Sequence, residues 1–269
     1  MKKANILEIK NLNFKMDGQH ILDNFNLKVK EGSIHSLLFR KEQSKNKVLE
    51  FLRAKSEFPE AELIIDGEKI NKKELQDLDK NKLYLINQYS AVNPEKDPLA
   101  IFKFNKKEDS ENRSTVFPEM TIAENIFFGR EPLKSFLFFK SIDNQKMIEK
   151  TKELLDLLEV ELYPNQKLME LTPLEKQLIE MLKAISYQVE ILLIDQAVIE
   201  LAEEKKKIFF DFMKKLKEKG ITIVYFTQEI EDVFKNSDFV SVLKDGTNKG
   251  TYKVSELEYN QLALLLMGQ

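Results

Sequence analysis

The stretch Ser33-Ile-His-Ser-Leu-Leu-Phe39, continued by Arg40-Lys-Glu-Gln-Ser-Lys-Asn-Lys47, decides how this chain is interpreted. Its first part is apolar enough to be a buried strand, and residues 39–47 then predict a loop leading into a short helix over 48–52. A strand, a loop and a helix in this order form the context of a phosphate-binding P-loop. A P-loop needs glycines so that backbone N–H groups can approach phosphate. This chain has no glycine between Gly32 and Gly67.

Composition limits the kinds of site that these 269 residues could carry. The chain has no cysteine, and its only histidines are His20 and His35, so a disulfide scaffold or a zinc enzyme is not expected. A formal net charge of −3 gives no general electrostatic reason to bind nucleic acid. We find no apolar run of about 18 residues and no secretory leader, which predicts a cytoplasmic protein.

Hydrophobic patterning predicts antiparallel strands in the first part of the chain. Alternating residues indicate strands over 6–9 and 26–29, and a third over 62–65. The dipeptides Asp17-Gly18 and Asp66-Gly67 are typical of turns.

The later part of the chain has the pattern of an α/β fold. Continuous apolar runs over 83–86, 191–194 and 221–226 predict parallel strands that are covered on both faces. Helical periodicity predicts helices over 143–159 and 201–218.

Six segments resemble the ATP-binding cassettes of ABC transporters, of the ribose, galactose and simple-sugar import type. They are SIHSLL (33–38), PEMTIAENIFFGREP (118–132), KQLIEMLKAISY (176–187), ILLID (191–195), IVYFTQEIEDVF (223–234) and VLKDG (242–246). The resemblance implies an α/β fold of the P-loop NTPase class, with a mixed or parallel sheet core, an antiparallel β subdomain and a helical insert. It further implies a single nucleotide-binding domain over 1–269, with the helical subdomain at about 89–187. Residues 91–116 exceed the family pattern and are predicted to be an inserted loop, either a mobile surface loop or a partner-binding loop.

Three residues match family positions that bind nucleotide. The resemblance places Lys45 at the phosphate-binding lysine, Gln88 at the Q-loop glutamine and Asp195 at the aspartate of the magnesium site. Gln196 stands where the family has its general-base glutamate, and Gln228 stands where it has the histidine that contacts the γ-phosphate. An amide cannot accept the proton of an attacking water. We therefore expect no intact catalytic residue, and only weak nucleotide binding from Lys45, Gln88 and Asp195.

Replacements at other family positions are also expected to weaken the binding of nucleotide and magnesium. Asn46 replaces the hydroxyl that would bind magnesium, and Glu42 would place a carboxylate beside the triphosphate. Met16 stands at the position that stacks on adenine, with Phe14 as a substitute nearby. No bound metal and no cofactor are expected.

The signature segment that clamps ATP in the family reads Leu171-Thr-Pro-Leu-Glu175 in place of L-S-G-G-Q. Pro173 lacks an N–H group and Leu174 blocks a close approach of phosphate. Thr172 and Glu175 have the spacing of a capping box, with proline at the favoured first helical position. The segment is thus predicted to start a helix rather than to bind phosphate.

These observations favour a degenerate cassette without ATPase activity that acts as a structural or coupling partner of an ABC permease or a second cassette. Two alternatives remain open from sequence. One is a soluble regulatory or scaffolding module that holds a signalling protein, and the other is an ATP-hydrolysing transport subunit with atypical motifs. A cassette would lie at the inner face of the cell membrane, attached only through its partner, and would not bind nucleic acid.

Overall fold

The computed structural model describes residues 5–54, 58–76, 82–86, 117–136, 139–195 and 201–267. The chain divides into two compact units: the first comprises Met1–Leu85, Val189–Gln196 and Phe210–Gln269, and the second comprises Ile86–Gln188 and Ala197–Phe209. The predicted loop over 91–116 lies outside the described residues. Within the described ranges, no helix combines the length and apolar character needed to cross a bilayer.

The elements alternate between strand and helix for most of the chain. The strands are β1 (Leu7–Met16), β2 (Gln19–Val29), β3 (Ile34–Phe39), β4 (Glu62–Ile65), β5 (Glu68–Ile70), β6 (Leu83–Ile86), β7 (Leu133–Phe136), β8 (Phe139–Ile142), β9 (Ile191–Asp195), β10 (Thr222–Thr227), β11 (Phe239–Lys244) and β12 (Thr247–Lys253). The helices are α1 (Glu42–Leu52), α2 (Lys72–Gln76), α3 (Ile122–Phe127), α4 (Asn144–Leu155), α5 (Pro173–Ser186), α6 (Glu203–Glu218), α7 (Ile230–Asn236) and α8 (Tyr259–Met267). Short 3-10 turns occupy Leu168–Glu170 and Val254–Glu256.

The predicted antiparallel and parallel strands lie in two separate sheets. The antiparallel sheet has the order β2-β1-β4-β5, and the larger sheet has the order β12-β11-β3-β10-β9-β6. In the larger sheet β11, β3, β10 and β9 are parallel, and β12 is antiparallel to β11. Since Phe226 pairs with Asp195 and Thr227 pairs with Leu38, the carboxyl ends of β3, β9 and β10 meet at one edge.

Both predicted turns of the antiparallel sheet are confirmed. Asp17 and Gly18 have φ values of 50° and 78°, and they join β1 to β2. Asp66 and Gly67, with φ values of 54° and 81°, join β4 to β5. Aspartate and glycine are the residues that tolerate this left-handed conformation, and it matches the twist of paired strands.

Asparagines at the irregular part of the β1–β2 pairing were not predicted to have a structural role. The backbone N–H of Asn24 donates to Oδ1 of Asn13 at 2.7 Å, and that of Asn11 donates to Oδ1 of Asn26 at 3.1 Å. Asn11 and Asn24 adopt φ values of 54° and 46°, at the register shifts of the two strands. The amide side chains replace the ladder hydrogen bonds that these bulges interrupt.

The core of the first unit lies on both faces of β3, which is buried along its length. Leu37 and Phe39 face a cluster that contains Val48 of α1 and strands of the antiparallel sheet. Leu38 points to the other face and packs with Val233 of α7 and Leu262 of α8. This alternation follows from the two-residue period of a strand, and each buried side chain stabilises the fold by about 1.5–3 kcal/mol.

Two predicted helices differ from the structure at one end. The helix predicted over 143–159 ends at Leu155, and the helix predicted over 201–218 begins at Glu203. Asp143 caps the first of these helices by accepting the N–H of Lys146 at 3.1 Å. Helix ends depend on such local caps, which periodicity does not resolve.

Candidate functional site

The loop predicted over 39–47 is largely helical, which corrects the sequence prediction. Helix α1 begins at Glu42 rather than at residue 48, so only two residues separate it from β3. The backbone N–H groups of Ser44 and Lys45 donate to the carbonyl of Lys41 at 3.2 and 3.3 Å. The prediction was wrong because residues 42–47 contain no glycine, and Glu, Gln and Lys favour a helix.

Lys45 is the centre of an internal ion-pair cluster. Its ammonium Nζ lies 2.8 Å from Oδ1 and 3.1 Å from Oδ2 of Asp195, and 2.9 Å from Oε2 of Glu42. The Lys45 side chain is only 6% exposed, and its ammonium lies 5.4 Å from the centre of the buried Phe39 ring. The structure brings Lys45 and Asp195 together and bonds them to each other, while their role in binding nucleotide stays a prediction.

The electrostatics of Asp195 reflect its burial. Desolvation raises the pKa of the Asp195 carboxyl above its ordinary value, and the nearby Glu42 carboxylate acts in the same direction. Lys45 lowers the same pKa, as an ion pair should, but the net direction is upward. Burial has the larger effect on this pKa, because removing a carboxylate from water costs several kcal/mol. The attraction of Lys45 is smaller, since its ammonium is shared between Asp195 and Glu42.

Side chains at the family's glycine and adenine positions make contacts within the protein. Ser44 is buried and its hydroxyl donates to the carbonyl of Ile21 at 2.9 Å. The Gln43 amide approaches the Met16 sulfur at 3.7 Å. Phe14, the substitute for an adenine platform, lies with its ring 5.9 Å from that of Phe58 and against the core.

Three further predicted site residues are Gln228, Gln196 and Gln88. Gln228 follows β10 and is half-buried at the edge where β3 and β9 also end. Gln196 comes directly after Asp195 in sequence but lies outside the described residues. Gln88 also lies outside them, so its predicted role stays a prediction.

In the second unit, the predicted helix start at the signature segment is confirmed. Thr172 is the N-cap of α5, Pro173 is the first helical residue, and Glu175 completes a capping box. The Glu175 carboxylate accepts the N–H of Thr172 at 2.7 Å, and the N–H of Glu175 points to the Thr172 hydroxyl at 3.4 Å. The polar groups of this segment are therefore used to begin the helix.

Asn125, also in the second unit, was not predicted to be important. It is fully buried, and its amide nitrogen donates to the carbonyls of Phe117, Met120 and Thr121 at 2.9, 3.2 and 2.9 Å. Its Oδ1 accepts the N–H of Phe117 at 2.6 Å. These bonds hold the segment before α3 in place. The sequence signal was an asparagine followed by the apolar residues 126–128.

Solved structures identify the class of this fold. The chain aligns over 99% of its length with 96% of an ATP-binding cassette of an ABC transporter in its ADP conformation, with a TM-score of 0.74 and 18% identity. No family model matches the chain. The fold is that of an ABC-transporter ATP-binding cassette.

Curated sequence relatives of the chain share one description. The chain is 31% identical, over 98% of its length and 46% of the relative, to a putative ribose/galactose/methyl galactoside import ATP-binding protein of Halalkalibacterium halodurans. It is 29% identical, over 98% of its length and 47% of the relative, to the xylose import ATP-binding protein of Thermoanaerobacter pseudethanolicus. The chain spans about half the length of the curated relatives it matches. Its homologues are sugar-import ATP-binding proteins.

Proposed function

We propose that this chain is a cassette subunit of a sugar-import ABC transporter that does not hydrolyse ATP. In this role it binds a membrane permease, or a second cassette, as a structural or coupling partner. Support for the transport role comes from the fold and from homologues that are named as sugar-import ATP-binding proteins. Import requires a membrane component, so a permease is the partner that we propose first.

The ion-pair cluster around Lys45 carries the proposal that hydrolysis is lost. A phosphate that used Lys45 would have to displace the carboxylates of Asp195 and Glu42, which lie 2.8 and 2.9 Å from its ammonium. A phosphate charge 4 Å from either carboxylate is repelled by about 1 kcal/mol in water and about 4 kcal/mol at the dielectric of a protein surface. The lysine is therefore neutralised from within the protein.

The groups that would surround a nucleotide also fit it poorly. The Ser44 and Lys45 N–H groups are bonded within α1, and Phe39 and Ser44 place side chains where a P-loop has glycine. Both oxygens of Asp195 accept hydrogen bonds from Lys45, so they are not free to bind a magnesium ion. The hydroxyl that would be a second ligand is missing, because position 46 is an asparagine. Phosphoryl transfer depends on such positioning, and no other described group replaces it.

The sequence supports the same proposal at two further positions. Gln196 and Gln228 carry amides where the family has a general base and a γ-phosphate contact. Loss of a general base alone costs about 10²–10⁴ in rate. No observation favours the soluble regulatory module over the transport subunit, so we do not propose it.

One measurement on the purified full chain tests the loss of hydrolysis. Phosphate release from magnesium ATP should equal the background of the Asp195→Asn variant. Release well above that background, lost in Asp195→Asn, would contradict the loss of hydrolysis.

The transport role is tested separately. A tagged chain expressed in its native host should retain a multi-spanning permease when purified from detergent-solubilised membranes. Recovery of only soluble proteins from those membranes would contradict the transport role while leaving the first result intact.

A further inference from the structure

A cavity of about 350 Å³ lies beside the amino end of β3, within the first unit. Its walls come from β2 of the antiparallel sheet and from β3, β11 and β12 of the larger sheet. His35, the second residue of β3, lines it, whereas Lys45 follows the other end of that strand. At about 3.3 Å per residue, His35 lies about 13 Å along the strand from Phe39. The cavity is therefore separate from the ion-pair cluster around Lys45, and its size suits a small molecule.

One wall of the cavity is a single face of the larger sheet. Phe239 pairs with His35, and Ser241, two residues further along β11, pairs with Thr251. These four side chains stand on the same face because side chains alternate along a strand. The rings of His35 and Phe239 are stacked, with their centres 6.2 Å apart and their planes at 27°. This wall therefore offers aromatic surface beside polar atoms.

His35 brings an unpartnered polar atom to this wall. Its Nε2 lies 2.9 Å from the Ser241 hydroxyl, which in turn lies 2.7 Å from that of Thr251. Its Nδ1 is buried and has no hydrogen-bond partner among the described residues. Burial lowers the pKa of His35 to about 4, so the ring is neutral at neutral pH. A ligand hydroxyl would satisfy Nδ1 in either tautomer, because a hydroxyl can both donate and accept.

The opposite wall is positively charged at its rim. The cavity runs along β2, which is the edge strand of its sheet, so it borders the buried Leu27 and the exposed Lys28 and Lys30. The ammonium of Lys30 lies 4.5 Å from the centre of the Phe239 ring, and it has no ion-pair partner in the described part of the chain. Lys28 lies opposite Glu8 in the pairing of β1 with β2, which offsets part of its charge. Lys30 is thus the main cation of the cavity.

The two walls are joined without a ligand. The Asn248 amide of β12 donates to the carbonyl of Asn26 in β2 at 2.9 Å, and its Oδ1 accepts the N–H of Gly250 at 3.0 Å. A ligand would therefore not have to order these strands, which lowers the cost of binding.

We propose that this cavity binds a small aromatic hydroxy acid. The carboxylate lies beside Lys30, the ring packs against Phe239 and Leu27, and the hydroxyl bonds to Nδ1 of His35. None of the described residues that line the cavity is acidic, so nothing in its walls repels the carboxylate. This site depends neither on a permease nor on nucleotide, so it is tested on the purified chain alone.

Titration of the full chain with para-hydroxybenzoate, followed by ligand-observed NMR at neutral pH, measures this binding. We expect saturable binding with a Kd of about 1 mM or below. Benzoate, which lacks the hydroxyl, should bind about fivefold more weakly, and para-hydroxybenzamide, which lacks the charge, about threefold more weakly.

Variants assign these contacts to the cavity. Lys30→Gln should weaken para-hydroxybenzoate about threefold and leave the benzamide unchanged. His35→Gln retains a polar group at the Nε2 position but has none at Nδ1, so it should bind benzoate and para-hydroxybenzoate equally. Lys15→Gln is the matched control, since Lys15 is also exposed and lies in the same sheet but does not line the cavity. It should leave all three affinities unchanged.

Three results would overturn the proposal. The first is the absence of saturable binding to the wild type up to about 10 mM para-hydroxybenzoate. The second is equal affinity of Lys30→Gln and the wild type for this acid, which would place the carboxylate elsewhere. The third is a His35→Gln variant that still prefers the hydroxylated acid. If His35→Gln does not fold, the exposed Lys30 position decides the question by itself.

Discussion

The ammonium of Lys45 and the carboxylate of Asp195 lie 2.8 Å apart, although the two residues are separated by 150 positions in the chain. Their pairing connects the start of α1 to the end of β9. From sequence, resemblance predicts that Lys45 would bind phosphate and that Asp195 would belong to a magnesium site. Here they form a bidentate ion pair that Glu42 extends.

Replacing Lys45 should destabilise the fold. In Lys45→Met the largely buried Asp195 carboxylate loses its partner, and we expect the free energy of unfolding in urea to fall by about 2–3 kcal/mol. Glu42→Gln is the control, because the Glu42 side chain is half exposed and the loss should stay below about 1 kcal/mol. Equal, small losses in both variants would show that the cluster does not stabilise the protein.

His35 should make stability depend on acidity. Burial lowers its pKa from 6.5 to about 4, and its Nε2 contacts the Ser241 hydroxyl at 2.9 Å. The unfolded chain takes up this proton first as the pH falls. The stabilisation is therefore complete above pH 6.5, and about 3 kcal/mol of it is lost by pH 4.

Urea unfolding across this pH range checks the prediction. His35→Gln should lack the fall in stability that the wild type shows between the two pH values. His20→Gln, at a histidine whose side chain is 45% exposed, should keep that fall. A His35→Gln profile parallel to that of the wild type would refute the assignment to His35.

Thr172 should contribute to stability as a helix cap. Thr172→Ala removes the hydroxyl of the capping box at the start of α5, and we expect a loss of about 1 kcal/mol in thermal or urea unfolding. Thr172→Ser keeps a capping hydroxyl and should stay close to the wild type. If alanine and serine give the same stability, the cap does not hold the segment as described.

Restoring two catalytic side chains should not restore hydrolysis. Gln196→Glu and Gln228→His, singly or together, return a base and a γ-phosphate contact without a held phosphate. Groups that act as a unit contribute non-additively, so we expect phosphate release to remain at background. Activity should appear only when residues 39–47 are also rebuilt as a glycine-rich loop with Ser or Thr at position 46. Ready hydrolysis by Gln196→Glu alone would show that the loop binds phosphate.

Much of the sheet architecture could be predicted because it depends on local patterns. The strand over 62–65 and the turn at Asp66-Gly67 follow from alternation and from residues that tolerate positive φ. The start of α1 was missed because the P-loop pattern places a loop at residues 39–47, while the local residues favour a helix. The hairpin of β7 and β8 was missed because its strands are short and exposed, so they lack a buried face that would set a clear alternation.

For the candidate site, the sequence identified residues but not the contact between their side chains. Resemblance assigned Lys45 to a phosphate-binding position and Asp195 to a magnesium position, and the structure brings the two side chains together. The direct pairing of their side chains depends on the rotamers and burial that arise when α1 packs on the sheet. A pattern of residue types along the chain does not give the rotamer or the burial of an individual side chain.

Calorimetric titration of the purified chain with ATP in the presence of magnesium is the most direct test of an internally neutralised site. We expect no saturable binding with a Kd tighter than the millimolar range, which corresponds to about −4 kcal/mol. Saturable binding with a micromolar Kd that Lys45→Ala abolishes would contradict this, because Lys45 would then have to leave Asp195 and Glu42 for the nucleotide.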